Sequence, residues 1–503
     1  MKSVLIANRG EIAVRIARTC REMGIRTIAV YSDVDKNSLH VTEADSAYSL
    51  GGATPAESYL SQEKLIGIAE HCGAEAIHPG YGFLSENAAF ADRVVKAGLI
   101  WIGPPASAIQ AMGSKTEARA LMISANVPVV PGTQTAVETA DEALGFAREF
   151  GYPVLLKAAA GGGGKGMRVV REEQDLETAL AAAQREALSA FGNGSVYVEK
   201  YLERPKHIEV QIFADSYGNA VYLGERECSL QRRHQKIIEE APSAAVSPSL
   251  RMKIGETAVM AAKACGYVNA GTCEFLLDRN GEYYFLEMNT RLQVEHAVTE
   301  MVTGIDLVRL QIETARGQKL PYTQSEVSLR GHAIEVRIYA EDVLAGFLPS
   351  TGTLEVWRPP SGPGLREDSA MYEGAEISRH YDPMISKLIA YGETREAAIQ
   401  RMRRALNEYF IAGVMNNVGF CNFVLQREEF RTAAFDTGSV EREFLPDYRE
   451  YTRETVDLPD WLPAAIALAN KAYRTEAAHP YAVKSIEARN DWKFTGRKRA
   501  LRS

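Results

Sequence analysis

Cysteine is sparse in this sequence and unpatterned: Cys20, Cys72, Cys228, Cys265, Cys273 and Cys421 include no CxxC pair. That excludes a disulfide framework and a zinc ribbon. Long apolar runs are missing too, none nearing the ~18–20 residues of a membrane span. The start, Met1 to Arg9, turns polar too soon for a secretory leader. There is no basic excess: 65 acidic residues against 57 basic give a formal charge of −8. A general nucleic-acid binder is therefore disfavoured, although a basic cleft can sit inside an acidic average. Low-complexity tracts and repeats of about 20–50 residues are also lacking. What is present is globular, with 46% hydrophobic and 24% charged residues over 503. That length supports about three domains with their own cores. The expectation is a soluble cytoplasmic protein of enzyme size, without membrane or nucleic-acid partners.

Strand and helix signals alternate through the first hundred residues. Val4–Ala7 reads as a buried strand, Ile12, Ile16 and Cys20 recur at helical spacing, and Thr27–Tyr31 is a second strand. A helix around Leu65, Ile66 and Ala69 leads to strands at Ala76–His78 and Leu99–Ile102. Such alternation predicts a parallel sheet with crossover helices. Asn8-Arg9-Gly10-Glu11 has one glycine where a dinucleotide fingerprint needs three, so NAD is not expected. The texture changes near Lys115, where an alanine-rich helix opens an α+β stretch, and again near Gly331, where an alternating strand begins. The predicted segments are 1–113, 114–330, 331–445 and a tail, 446–503. That tail carries Trp461, Trp492 and a basic end, and suits either a solvated extension or a partner-docking segment.

Six clusters are candidates for chemistry. The run Lys157 to Met167 includes Gly161, Gly162, Gly163, Gly164 and Lys165 between two strands. Its free backbone N–H groups suit phosphate oxygens, although a plain mobile hairpin has the same composition. It is not a P-loop, because no Gly-Lys-Ser/Thr opens a helix. Tyr197–Leu202, with Glu199 and Lys200, could meet an adenine edge or be an ordinary strand. Asn280-Gly281 predicts a two-residue hairpin turn that sets Glu274 opposite Glu287 and Asn289 opposite Thr272. Opposed like charges destabilise a sheet, so a hard cation such as Mg²⁺ would account for them, as would solvation on an exposed face. The chain then runs through Arg291, Gln293, Val294 and Glu295, where a guanidinium could hold a small planar anion and a carboxylate could act as base. Residues 225–236 pack cations beside acids, either as a solvated loop or as a site, and Glu335, Arg337 and Tyr339 share one strand face. Cys228 is expected to be a bystander.

Together, Asn8–Ala13, His78–Asn87, the Lys157–Met167 loop, Gln231–Lys236 and Glu287–His296 strongly resemble biotin carboxylase, of the ATP-grasp superfamily. The resemblance covers about 1–445. It implies an N-terminal parallel α/β domain, a central ATP-grasp domain with a mobile lid over about 131–202, and a C-terminal α+β domain. It implies a ligase that carboxylates biotin on a carrier protein with bicarbonate and ATP, through carboxyphosphate. Lys115, Lys157, Gly162, Gly163, Gly164, Glu199, Lys200, Leu202, His207, Gln231 and His234 would surround ATP. Glu274, Glu287 and Asn289 would hold Mg²⁺ or Mn²⁺. Lys236, Arg291, Gln293 and Val294 would position bicarbonate, with Glu295 as base and Arg337 on the biotin enolate. Implied partners are a biotin carboxyl carrier protein, a carboxyltransferase, and a second copy or a larger assembly. The one internal Met-Lys, Met252-Lys253, heads a helical pattern rather than a hairpin, so biotin is expected on a separate chain. Ala159, Ala160, Ala297 and Val343 depart from the family pattern without removing a reacting group. The final acyl acceptor is not encoded here.

Overall fold

Ser3–Ile6 form β1, buried throughout, with β2 (Arg26–Tyr31) parallel on one side and β4 (Ala76–His78) on the other. With β3 (Ser46–Ser49) and β5 (Ile100–Trp101) they make a sheet ordered β3-β2-β1-β4-β5. The structure, a computed structural model, describes residues 1–133, 135–158, 167–191 and 194–455. Helix Gly10–Glu22 buries Ile12, Ile16 and Cys20 against Val4 and Ile6, as the four-residue spacing predicts. Leu5, Ile28 and Ile77 pack on the opposite face with Leu65, Ile66 and Ala69. Burial of both faces is why these strands read as continuous apolar runs. The sequence reading misses β3, because Ser-Ala-Tyr-Ser carries no apolar run.

Ser114 caps helix Lys115–Ser124 by accepting from the Glu117 N–H at 3.4 Å. Beyond it, β6 (Val154–Ala158), β7 (Met167–Val170) and β8 (Val196–Lys200) form an antiparallel sheet ordered β7-β6-β8. Helix Leu176–Phe191 covers it, packing Leu176, Leu180 and Ala183 on Val154 and Leu156.

The largest sheet joins β9 (Lys206–Ala214), β10 (Ala220–Arg232), β11 (Gln235–Ala241), β12 (Asn269–Leu277) and β13 (Tyr283–Asn289) to three later strands. These are β14 (His332–Tyr339), β15 (Leu365–Ser369) and β16 (Met384–Gly392), and the order is β13-β12-β9-β10-β11-β14-β16-β15. The β11–β14 pairing, from Ile238–Val336 to Ala241–Ala333, makes the sheet continuous across residue 331. Two sequence alternatives are resolved here. Residues 225–236 are not a solvated loop but strand: Glu225–Gln231 is buried, and a tight, exposed turn with Arg233 and His234 in the left-handed region at φ +48° and +69° leads into β11. Strand β14 is buried along its whole length rather than on one face, which removes the exposed reading of Arg337. Helix His296–Thr303 packs Ala297, Val298 and Val302 on Ala333 and Ile389, covering that side.

Met1–Leu445 form one compact unit and Pro446 onward a second. The described part of the second is the remainder of helix Leu445–Thr455, on which Tyr448 stacks with Tyr451.

Candidate active site

The hairpin β12–β13 forms one wall of the site. Its turn holds three residues, not the two that Asn280-Gly281 predicts: the Asp278 N–H donates to Glu282 O at 2.8 Å and Gly281 takes φ +85°. The Asp278 carboxylate competes for the turn, accepting from the Asn280 and Glu282 N–H groups at 2.8 and 2.9 Å. Pairing next to the turn is therefore displaced, with Phe275 facing Phe285. A bulge at Leu286 restores the register, so Glu274 does face Glu287, and Thr272 faces Asn289.

The two opposed carboxylates differ. Glu287 is exposed, whereas Glu274 is buried and fully engaged. Its Oε1 accepts from Asn289 Nδ2 at 2.8 Å, Gln293 Nε2 at 3.0 Å and Lys236 Nζ at 3.2 Å, and its Oε2 lies 3.1 Å from His207 Nε2. Burial raises its pKa, but Lys236 and His207 outweigh burial and hold it well below the usual carboxylate range.

Lys236 is the hub. Its ammonium donates to Glu295 Oε1 at 2.6 Å, to Glu274 and to Glu209 Oε2. Two strands separate β11 from β12, about 14 Å on a flat sheet, so contact at 3.2 Å means that the sheet curls around Lys236. The carboxylate groupings His207–Glu209–Glu274 and Glu209–Cys228–Glu295 thus converge on a cation the chain itself supplies.

Glu295 is fully buried at the N-terminal end of helix His296–Thr303. Arg337 Nη2 donates to its Oε2 at 2.8 Å, while Arg337 Nε donates to Glu239 Oε1 at 2.6 Å. Burial would raise the Glu295 pKa, yet Lys236, Arg337 and Arg226 hold it well below the usual range, so it is ionised near neutral pH. Between Asn289 and His296 the chain is irregular, which settles the strand-or-helix ambiguity for neither form. Arg291 is fixed by Glu86 Oε2 at 2.8 Å, Gln293 Oε1 at 2.6 Å and Asn289 Oδ1 at 3.0 Å.

These groups face a cleft of about 1260 Å³. Lys157, Glu199, Lys200, Leu202, His207, Gln231, His234 and Glu287 line it, together with Lys236, Glu274, Asn289, Arg291, Gln293, Val294, Glu295 and Arg337. Lys157 lies 3.5 Å from Glu199 across the β6–β8 pair. Lys115 heads its helix at the backbone level. Gly162, Gly163, Gly164, Ala159, Ala160 and residues 456–503 lie outside the described residues, and with them part of the segment expected as a lid and most of the tail. Cys228 is buried with its Sγ 3.9 Å from Glu295 Oε1; burial pushes its thiol well up, and Glu209 adds to this.

Sequence reasoning misses Glu209, Arg226 and Glu239. Arg226 is completely buried and donates to Glu209, to Gln211 at 2.8 Å, to Thr299 at 2.9 Å and to Thr272 at 3.1 Å. The available signal was a charge inside an apolar strand run, as in Ile208-Glu209-Val210.

The chain matches family models in succession. The N-terminal domain of biotin carboxylase matches residues 1–109, the ATP-binding domain of the carbamoyl-phosphate synthase L chain 114–323, and the biotin carboxylase C-terminal domain 335–442. Biotin carboxylase 1 of Bacillus subtilis is 51% identical over 442 residues, spanning 88% of this chain and 98% of its own. The biotin carboxylase of Halalkalibacterium halodurans is 52% identical, over 87% of this chain and 97% of its own. Among solved structures, a biotin carboxylase–ATP complex from Campylobacter jejuni is similar at TM-score 0.83 and 48% identity, over 88% of this chain and 99% of its own. The biotin carboxylase domain dimer of Hydrogenobacter thermophilus 2-oxoglutarate carboxylase, in complex with MgADP, ADP and bicarbonate, has TM-score 0.81 and 47% identity, over 88% and 97%. With three domains matched in order and relatives half identical along nearly the whole fold, the chain belongs to the biotin carboxylase family, ATP-dependent ligases of biotin-dependent carboxylases.

Proposed function

We propose that the cleft brings ATP and bicarbonate together around Lys236 and that each residue named above acts in its expected role. Glu295 takes the proton of bicarbonate, whose oxygen then attacks the γ-phosphorus of ATP, releasing ADP and forming carboxyphosphate. Lys236, Arg291, Gln293 and Val294 hold the bicarbonate. Carboxyphosphate breaks to CO₂ and phosphate beside biotin, and the departing phosphate takes the ureido N–H proton. Arg337 then stabilises charge on the ureido oxygen, as an oxyanion-hole donor does, and the nitrogen attacks CO₂. Lys115, Lys157, Gly162, Gly163 and Gly164 steady the phosphates, and Glu199, Lys200, Leu202, His207, Gln231 and His234 surround the nucleotide. The glycine lid excludes water from the intermediate.

The oxygen donors of Glu274, Glu287 and Asn289 fit Mg²⁺ or Mn²⁺, hard cations that take oxygen ligands, and these residues would hold such an ion. When bound, such an ion offsets the charge of the ATP phosphates.

Segments 1–113, 114–330 and 331–445 are read as the pre-ATP-grasp, ATP-grasp and C-terminal domains. A separate biotinylated carrier and a carboxyltransferase complete the assembly, with a homodimer or larger hetero-oligomer as its core and the tail from 446 as a docking segment. Met252-Lys253 on helix Pro248–Ala264 supports a separate carrier. Six free cysteines support a cytoplasmic location. Among the described residues no helix is long and apolar enough to cross a membrane.

The observation that most directly supports this reading is the ionised Glu295 carboxylate held between Lys236 and Arg337. Glu295→Gln keeps its shape and removes the base, so bicarbonate-dependent ATP cleavage should fall about 10²–10⁴-fold with nucleotide binding retained. A variant that cleaves ATP at the parent rate overturns the assignment.

A further inference from the structure

Lys387 is a completely buried lysine that none of the steps above uses. It lies on β16, with Asp368 of β15 opposite on one side and Arg337 of β14 on the other. Two cations side by side across a ladder repel, so something must favour an ammonium here over an apolar side chain of the same size. Its donors answer the question. Nζ donates to the backbone carbonyl of Val294 at 2.8 Å and lies 3.2 Å from Glu11 Oε1 and 3.8 Å from Asp368 Oδ2. The ring of Tyr81 is 5.9 Å away. Neither Glu11 oxygen has a hydrogen-bond partner among the described residues, and Lys387 offsets its burial only in part, since burial still raises Glu11 to about 7.

The Asn8–Ala13 and His78–Asn87 motifs thus gain a task, since Glu11 and Tyr81 flank the ammonium. Val294 immediately precedes Glu295, and no regular hydrogen-bond ladder supports this irregular segment. Lys387 holds the carbonyl of the planar Val294–Glu295 peptide, while Arg337, its neighbour across the ladder, holds the Glu295 carboxylate at 2.8 Å. Two adjacent cations on one sheet face therefore grip two successive residues.

We infer that Lys387 is a positioning residue for the bicarbonate step: held by Glu11, it fixes the Val294–Glu295 peptide and so the base. The inference rests on the bicarbonate role proposed for residues 291–295.

Lys387→Met removes the donor but leaves Glu11 unpaired, and the loss of a buried charge partner can unfold the chain. The double variant Lys387→Met/Glu11→Gln removes that burden, and Glu11→Gln alone keeps the bond to Val294. Steady-state ATP cleavage with bicarbonate varied, ATP varied and biotin omitted is measured beside thermal unfolding. The expected result is that kcat/KM for bicarbonate falls about 10–100-fold in the double variant, with KM for ATP within about twofold. Glu11→Gln, which loosens Lys387 but keeps its bond to Val294, should fall in the same direction and by less than the double variant. Stability should return in the double variant while the bicarbonate defect stays. Recovery of both together, parallel losses for ATP and bicarbonate, or unchanged bicarbonate kinetics in the double variant overturns the proposal. Intact cleavage by Glu295→Gln in the same assay would instead remove the reading beneath it.

Discussion

Glu239 and Glu335 face each other across the β11–β14 ladder, and both are buried. Arg337 Nε serves Glu239 Oε1, but Glu239 Oε2 and both Glu335 oxygens have no hydrogen-bond partner among the described residues. Two carboxylates so placed do not both ionise. Burial raises Glu335 well above the usual range, and burial raises Glu239 to about 7 against the opposing pull of Arg337.

A consequence follows for stability against pH. A carboxyl whose folded pKa is raised binds more protons folded than unfolded, so its contribution is full below the unfolded value and lost as pH rises through the folded one. For Glu239 that window runs from about 4.5 to about 7. Glu239→Gln mimics the protonated form and lacks this loss. Urea unfolding of both proteins across the window should show the parent falling relative to the variant as pH rises; a constant difference would argue against proton retention.

The two carboxylates of the β12–β13 hairpin should separate under substitution. Either Glu274→Gln or Glu287→Gln should abolish magnesium-dependent turnover. Their metal-free stabilities should differ, because Glu274 is buried on Lys236, His207, Asn289 and Gln293 while Glu287 is exposed. Glu274→Gln should destabilise by about 1–3 kcal/mol, and Glu287→Gln should stay within about 0.5 kcal/mol. Opposed charges alone would predict relief in both cases, so chemical unfolding without metal decides between the two accounts.

Arg337→Ala should split the half-reactions. Glu295 keeps its bond to Lys236 at 2.6 Å and so remains ionised for the bicarbonate step. Carboxybiotin formation should fall ~10²–10³-fold, while much of the biotin-independent ATP cleavage survives. Phosphate and carboxybiotin are measured on the same samples, with and without biotin. Equal loss of both would move Arg337 into bicarbonate or ATP activation.

Local periodicity made the N-terminal sheet legible: Ile12, Ile16 and Cys20 are buried where a helix should bury them. The facing of Glu274 and Glu287 was legible for a compensated reason, since the misjudged turn is offset by the bulge at Leu286. What could not be read was burial of charge. Lys236 meets Glu274 and Glu295 from 38 and 59 residues away, and a lysine in sequence looks the same whether it is solvated or caged. Lys387 shows this most plainly, because its acceptor is a backbone carbonyl 93 residues distant.

The β11–β14 ladder also limits which pieces of the chain relatives can exchange. A recombination point at Ser114 falls between helices Ala106–Gly113 and Lys115–Ser124 and cuts no strand pairing among the described residues. Hybrids joined there need only matched side-chain contacts such as Lys387–Glu11. A junction at 331 sets Ile238–Ala241 of one parent against Ala333–Val336 of the other, so buried pairs such as Glu239–Arg337 must match across the ladder. The hereditary block of this enzyme therefore runs from Ser114 through the end of β16, across the boundary that composition alone would draw.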